Sequence, residues 1–243
     1  MSNTLRAFYR ALVLSTVLTS AARAQDTQQD STTSELTRRS SGALSVIQSR
    51  PQGTLGKNIG LGYGVDGAYL LRLDDTGILS LRASVGAVSY GGESRKATFS
   101  ESVGGRVTLD VTTSNYIVPM SVGPQLSWPT GIVRPYVNAG VGAQLFFTES
   151  RLQGTGDFNA FASTTNHSAS AAAWSLGGGV YLPLYAGKRH LDLDLGIQYY
   201  GGGTARYLAQ GSIIDQPGGQ ITVTPLESTT HLAIIRLGAR LSP

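Results

Sequence analysis

Residues 190–200 read His-Leu-Asp-Leu-Asp-Leu-Gly-Ile-Gln-Tyr-Tyr, and every second position from Leu191 to Tyr199 is apolar. The positions between them hold Asp192, Asp194, a glycine and a glutamine. Successive side chains of a β-strand point to opposite faces, so this stretch predicts a strand with one apolar and one polar face. In a soluble sandwich the apolar face would point into the core, whereas in a transmembrane barrel it would face lipid.

The N-terminus predicts export. Arg6 and Arg10 precede an apolar run over residues 11–18, and Ala22 and Ala24 form an Ala-x-Ala site. A basic start, a short apolar middle and a small-residue site are typical of a secretory signal peptide. We therefore predict a signal peptide over residues 1–24, cleaved after Ala24, and a flexible periplasmic leader over residues 25–41.

Composition limits the partners and the chemistry. Loss of the three arginines in residues 1–24 lowers the net charge from +4 to +1, so nucleic acid is not an expected partner. The chain has no cysteine, which excludes disulfides and thiolate metal sites. No later apolar run is long enough for a transmembrane helix, so a membrane-spanning form would have to be a closed barrel.

Alternating segments indicate eight strands. They lie near residues 42–49, 58–73, 79–90, 116–128, 133–148, 172–184, 190–200 and 231–241. A change of phase near residues 113–115 predicts a bulge that prolongs the fourth strand, and residues 212–223 have the pattern of a small hairpin. Short connections at 74–77, 129–131 and 186–189 alternate with longer ones at 91–105, 149–169 and 201–228.

This alternation of connection lengths is typical of bacterial outer-membrane barrels, which have short periplasmic turns, longer extracellular loops and an even number of strands. We therefore predict an all-β fold, an eight-stranded antiparallel up-and-down transmembrane β-barrel, as one domain over residues 42–241.

The polar strand faces are expected to line the lumen. All three lysines fall in connections, whereas the polar faces carry glycine, serine, asparagine and a few aspartates and arginines. Arginine suits buried ion pairs, and an eight-stranded barrel is just wide enough for side chains to fill. We predict an interior plugged by a charge network, in which Asp192 and Asp194 pair with Arg236. Its members are Asp66, Arg82, Arg134, Asp192, Asp194 and Arg236.

The apolar faces are expected to contact lipid, with aromatic side chains at the membrane boundaries. The lipid-facing candidates are Leu191, Leu193, Leu195, Ile197, Val137, Val141, Leu176, Val180, Ile235 and Leu237. The interfacial aromatic candidates are Trp128, Phe147, Trp174 and Tyr199.

Two strand-and-turn patterns, Gly-Leu-Gly-Tyr-Gly at 60–64 before the turn at 74–77 and Val-Arg-Pro-Tyr-Val-Asn-Ala-Gly-Val-Gly at 133–142, resemble the small outer-membrane β-barrel family. Its eight-stranded members include outer-membrane proteins A and X. The resemblance implies location in the cell outer membrane, contact with its lipid and insertion by the barrel-assembly machinery. That machinery usually reads a terminal aromatic residue, which the ending Leu241-Ser242-Pro243 lacks. The resemblance also implies a monomer that could bind an extracellular ligand through the long loops.

The main functional hypothesis is a structural or surface-interaction role without chemistry. A narrow porin-like channel for small solutes and a secreted lipocalin-like binder stay open as alternatives. Some barrels of this size are lipid-modifying hydrolases with histidine and serine near the rim, and His167-Ser168 falls in a comparable place. Adjacent strand residues point to opposite faces, so we interpret this segment as an ordinary polar loop. No catalytic, cofactor or metal site is expected.

Overall fold

The computed structural model describes residues 39–98, 108–154, 160–186, 189–208, 213–215, 221–223 and 225–243. Within them no helix is both long and apolar enough to cross a membrane. The elements are β1 (Ser40–Gln52), α1 (Gly53–Asn58), β2 (Gly62–Arg72), β3 (Leu79–Thr98), β4 (Thr108–Ser127), β5 (Arg134–Gly154), β6 (Ala160–Ala186), β7 (His190–Tyr207), β8 (Ile213–Asp215), β9 (Ile221–Val223) and β10 (Leu226–Ser242).

Eight of the strands close into a barrel in the order β1-β10-β7-β6-β5-β4-β3-β2. Neighbours in the barrel follow one another along the chain, and β1 closes it by pairing with both β2 and β10. All the pairs are antiparallel, so the predicted eight-stranded up-and-down barrel is confirmed. The remaining strands, β8 and β9, form the predicted small hairpin.

The two-residue period separates the barrel wall into two faces. On β7, Asp192 and Asp194 are fully buried in the lumen, whereas Ile197 is 64% exposed on the outer wall. The same contrast holds on β3, where Arg82 is buried and Val85 is 54% exposed. The wall is therefore apolar on the outside and polar on the inside over the half of the barrel that contains these residues.

The short connections and both ends of the described chain lie at one end of the barrel, which we call the turn end; the opposite end is the loop end. At the turn end the Asp74 carboxylate accepts hydrogen bonds from the Thr76 hydroxyl and from the backbone N–H groups of Ile78 (3.2 Å) and Leu79 (3.0 Å). The hydrogen bond from Thr76, followed by those from the backbone, lowers the pKa of Asp74. The charged carboxylate thus holds the β2–β3 turn.

The connections at the loop end differ from the prediction. Much of the three predicted long loops is regular strand, because β3 and β4, β5 and β6, and β7 and β10 stay paired well beyond residues 90, 148 and 200. Outside residues 107–111, whose alternation predicted the prolonged fourth strand, the sequence of these extensions is mostly small or polar, so alternation did not reveal them. The predicted bulge in β4 is wrong: β4 keeps one register against β5, and the extra residue lies on β3 between Ser89 and Gly92. The first connection contains the short helix α1.

An apolar cluster fills the lumen towards the loop end. α1 places Leu55 there, fully buried, and the Asn58 amide donates a 2.7 Å hydrogen bond to the Tyr207 hydroxyl. The Tyr207 ring stacks on Phe146, with centroids 5.7 Å apart. We call this cluster the apolar layer; it consists of Ile47, Leu55, Ile59, Val88, Tyr90, Ile117, Phe146, Ala171, Ala173, Tyr200, Ala205, Tyr207, Leu232 and Ile234.

A first prediction concerns the β2–β3 turn. Because the folded pKa of Asp74 is lowered, its stabilising effect should be full above the usual aspartate range and fade as the pH falls through the folded value. Asp74→Asn should therefore lower the urea midpoint of unfolding at neutral pH and make little difference in acid. Asp75→Asn is the control. The Asp75 carboxylate accepts a hydrogen bond from Arg39 at the surface, so this substitution should lower the urea midpoint less. An equal loss at all pH values would contradict this account of the turn.

Candidate functional site

Asp192 is the centre of the charged network near the turn end. It is fully buried, and its Oδ2 accepts a 3.1 Å hydrogen bond from Arg240 Nε and forms an ion pair with Arg240 Nη2 at 2.8 Å. The Arg134 Nη1 lies 3.6 Å from the other oxygen, Oδ1. Arg240 also lies over the Tyr181 ring, 4.0 Å from its centroid. One carboxylate thus holds two guanidinium groups inside the lumen near the turn end.

Asp194 is two residues further along β7, away from the turn end, and is also fully buried. The Tyr136 hydroxyl donates a 2.5 Å hydrogen bond to its Oδ1 and accepts one of 3.3 Å from Arg236. Arg236 donates a second bond, of 3.2 Å, to Gln198. Tyr136 has room because Gly179 and Gly196 lie beside its hydroxyl, where an added Cβ would approach the oxygen to 2.6 and 2.5 Å. Tyrosine therefore mediates between this aspartate and this arginine.

Asp66 and Arg82 form the third part of the network. The Arg82 Nη2 lies 3.9 Å from Asp66, and its Nη1 donates a 3.2 Å hydrogen bond to Gln125. Gln125 in turn donates to the Tyr181 hydroxyl at 3.1 Å. Arg236 also interacts electrostatically with Asp66. The three parts are therefore connected across the lumen, through Tyr181 and Arg236.

The predicted pairing with Arg236 is wrong for Asp192, which pairs with Arg240 and Arg134. Asp194 does interact electrostatically with Arg236, and the Tyr136 hydroxyl bonds to both. The β7–β10 register places Arg240 opposite Asp192 and Gly238 opposite Asp194, so that Arg236 faces Gly196. Sequence analysis also missed Tyr136, Tyr181, Gln125 and Gln198 as members of the network. Alternation predicts that these four residues point inward. Their hydroxyl and amide groups can bond to charged side chains, and this was the available signal that they belong to the network.

The apolar layer was missed as well. Its signal was a set of apolar doublets that break the polar–apolar alternation, because there both the inward and the outward residue are apolar. The doublets are Phe146-Phe147, Tyr199-Tyr200 and Ile234-Ile235. In each doublet the even-numbered residue is buried in the lumen.

The apolar candidates of the outer wall take up outward positions. Leu195, Ile197, Val137, Val141, Leu176, Ile235 and Leu237 are exposed, and Leu191, Leu193 and Val180 are half-buried among their neighbours.

Two of the aromatic candidates mark opposite ends of the wall. Trp128 is 66% exposed beside the β4–β5 turn at the turn end, and Trp174 lies nearer the loop end. The Trp174 ring lies 5.5 Å from that of Tyr199 and covers Gly201, where a Cβ would overlap the indole. Phe147 is half-buried on β5. The wall therefore has aromatic groups near both ends of its apolar band.

No metal centre is present among the described residues, because they contain no group of three or more His, Asp or Glu side chains placed to hold an ion. His190 lies at the turn end, whereas His231 stacks on Tyr199 towards the loop end, with ring centroids 6.1 Å apart. The His167-Ser168 segment lies in β6 and not in a loop, so the interpretation of it as a loop is wrong. The His167 side chain is outside the described residues.

The family model of the outer membrane protein β-barrel domain matches residues 11–222. The chain belongs to this outer membrane β-barrel family. The resemblance seen in the sequence is thereby confirmed, and so is location in the outer membrane. The turn end of this outer membrane β-barrel is accordingly periplasmic, and the loop end is extracellular.

Solved structures similar to this outer membrane β-barrel include three surface or outer membrane proteins. Neisserial surface protein A is 11% identical, with 84% of this chain and 97% of that chain covered and a TM-score of 0.43. Ail, the attachment invasion locus protein of Yersinia pestis, is 15% identical, with 83% and 97% covered and a TM-score of 0.40. A major outer membrane protein of Thermus thermophilus is 14% identical, with 83% and 98% covered and a TM-score of 0.41. No curated protein matches the sequence.

A second prediction tests the network at Asp192. Asp192→Ala removes the carboxylate that holds Arg134 and Arg240, and an uncompensated charge in a lumen is strongly destabilising. Because both arginines keep some contact with solvent, we expect a loss of about 3 kcal/mol in the free energy of unfolding. Urea unfolding in lipid vesicles measures it.

The matched control is Asp75→Ala, which breaks the exposed pair with Arg39 and should change stability by about 0–1 kcal/mol. Equal losses of unfolding free energy in the two variants would show that the interior ion pairs stabilise the barrel no more than an exposed one does.

Proposed function

We propose that this outer membrane β-barrel is a closed scaffold that conducts no solutes, presents its extracellular hairpins for surface interactions and has no chemistry of its own. The observation that carries the proposal is the filled lumen, in which a charged network lies below an apolar layer. A pore would need a continuous water path through both.

The apolar layer supports closure independently of the charges. Its largest members, including Phe146, Tyr200, Tyr207 and Leu232, are fully or almost fully buried. Apolar constrictions exclude water and hence ions, even where a gap between side chains remains. The level of the lumen that the apolar layer occupies is therefore expected to stay dry.

The charged network supports closure of the periplasmic half. Arg134, Arg240 and the Tyr136–Tyr181 stack, whose ring centroids are 4.4 Å apart, lie across the lumen. This arrangement is the opposite of the lipocalin-like alternative, which required an apolar pocket in place of buried aspartates. The narrow-channel alternative has no observation in its favour.

The surface role is supported by the length of the extracellular hairpins. β6 has 27 residues, whereas a strand that crosses a membrane needs roughly 10. The β3–β4 and β5–β6 hairpins therefore project beyond the bilayer as paired strands. Variable connections on a rigid scaffold commonly carry binding, and an extracellular ligand would be held there.

The outer wall supports the remaining assignments. Its exposed apolar side chains are suited to lipid contact, and the completed barrel leaves no sheet edge for a second copy, so we expect a monomer. Insertion would use the barrel-assembly machinery. No catalytic residue, cofactor, metal ion or nucleic acid belongs to this proposed function.

A third prediction concerns conductance. The purified barrel in a planar bilayer should give no single-channel current, and Arg236→Ala should also give none, because the apolar layer seals the lumen whatever the charges do. Heat-modifiable migration on a gel is the control for folding. Current steps from the folded wild type would support the channel alternative, and steps from folded Arg236→Ala alone would make the charges the seal.

A fourth prediction concerns lipid contact. Leu195 is 36% exposed on the outer wall, midway along the apolar part of β7. Leu195→Arg should destabilise the barrel by about 2–4 kcal/mol and reduce its recovery from the outer membrane, because arginine would face the bilayer midplane.

The control for this prediction is Leu184→Arg near the periplasmic end of β6, where Leu184 is 60% exposed and the cost should be about 0–1 kcal/mol. An equal effect at the two positions would contradict the proposed depth of the barrel in the membrane.

A further inference from the structure

An arginine interrupts the apolar outer wall near the β10–β1–β2 seam. The outward positions from Gly42 to Arg50 on β1, Tyr63 to Leu71 on β2 and Ala233 to Leu241 on β10 contain one charged residue, Arg50. Arg50 is exposed, and none of the described residues forms an ion pair or side-chain hydrogen bond with its guanidinium group. An unpaired cation on a lipid-facing wall requires a partner from the membrane or from solvent.

The position of Arg50 is at the upper edge of the apolar band. It lies eight residues beyond Gly42 along β1. At about 3.3 Å per residue and a tilt of about 40°, it stands about 20 Å above Gly42, in a band about 25 Å tall. The register agrees, because Arg50 pairs with Ala233 and Ala233 pairs with Tyr199, which contacts Trp174. Each step between tilted neighbours shifts the height by about 3 Å, so Arg50 lies within about 6 Å of the height of Tyr199 along the barrel axis.

Beside Arg50 the wall is hollowed into a groove. The groove has a volume of about 570 Å³, and its apolar lining includes Ile59, Leu61, Ala233 and Ile235. Arg50 and Gln48 supply its polar groups. Gly56 of α1 also lines the groove, and the next residue, Lys57, is exposed. The site thus combines an apolar trough with a cation at its extracellular end.

We propose that this groove binds a phosphate-bearing lipid of the outer leaflet, with an acyl chain in the trough and the phosphate on Arg50. The chemistry selects this occupant: a guanidinium group pairs with phosphate through two parallel hydrogen bonds, and the lining of the trough is mainly apolar. A soluble anion would leave the trough unfilled, and an uncharged lipid would leave Arg50 unpaired. The inference rests on the proposed function, because it requires the outer wall to face lipid.

The experiment measures lipid retention by the full barrel. Delipidated protein in detergent is mixed with diphosphoryl lipid A or with the same lipid after its phosphates have been removed, and bound lipid is counted by native mass spectrometry. We expect the phosphorylated lipid to bind the wild type at least tenfold more tightly than the dephosphorylated one. Arg50→Gln should lose this preference, and Arg50→Lys should keep part of it.

Two further variants locate the site. Ala233→Phe fills the trough and should weaken binding of the phosphorylated lipid as much as Arg50→Gln does. Arg206→Gln is the matched control: Arg206 is an exposed extracellular arginine that donates a 2.8 Å bond to Glu227, away from the groove, and its loss should leave binding unchanged. If Ala233→Phe fails to fold, the comparison of Arg50→Gln with Arg50→Lys decides.

Binding by Arg50→Gln equal to that of the wild type would overturn the proposal and make Arg50 a side chain that only reaches towards the water layer. Equal binding of the two lipids would overturn it too. Both results are read from barrels that show heat-modifiable migration and fractionate with membranes. They are therefore distinguishable from failure of the part of the proposed function on which the inference rests, lipid contact of the outer wall, because those two properties themselves would then be absent.

Discussion

Pairing of β1 with β10 is the constraint on which the rest of the molecule depends. Hydrocarbon offers no hydrogen-bond partner, so each backbone N–H and C=O inside a bilayer must bond to another part of the chain. The eleven pairs from Gly42–Leu241 to Gln52–His231 convert an open sheet with two unpaired edges into a continuous wall. Once the wall is closed, the two-residue alternation sends each side chain either to lipid or to the lumen, and no third environment remains at membrane depth.

The lumen that closure creates is narrow, and two kinds of packing fill it. Towards the extracellular end, aromatic and aliphatic side chains are buried as in a soluble core, each contributing about 1.5–3 kcal/mol. Towards the periplasm, aspartates and arginines are paired directly or through Tyr136, and glycines such as Gly196 leave room for the tyrosine rings. A buried ion pair by itself is weak evidence for stability. The apolar layer therefore carries the packing, and the network neutralises charges that alternation places inside.

The sequence predicted which face each strand residue occupies better than it predicted which residues meet. Alternation places Asp192 and Asp194 inward without knowledge of any partner strand. The choice of Arg240 over Arg236 for Asp192 depends on the stagger of β10 against β7, and alternation carries no information about stagger. The lengths of the strands beyond the membrane were underestimated because alternation detects only strands with an apolar face. A strand that projects into water needs no such face. The doublet Phe146-Phe147 indicated the apolar layer, because it places an apolar residue at an inward position. Assigning one face of each strand as polar and the other as apolar overlooks this.

The central claim is that lipid touches the odd-numbered side chains of β7 from Leu191 to Tyr199 and that the even-numbered ones from Asp192 to Tyr200 are enclosed. The chain lacks cysteine, so single cysteines can be placed at each position from 191 to 200 and spin-labelled in the folded, reconstituted barrel. The accessibility of each label to oxygen dissolved in the bilayer then reports its environment. Our account predicts a two-residue oscillation with maxima at 193, 195 and 197 and minima at 192, 194, 196 and 198. Maxima at the even positions, or no oscillation, would contradict it.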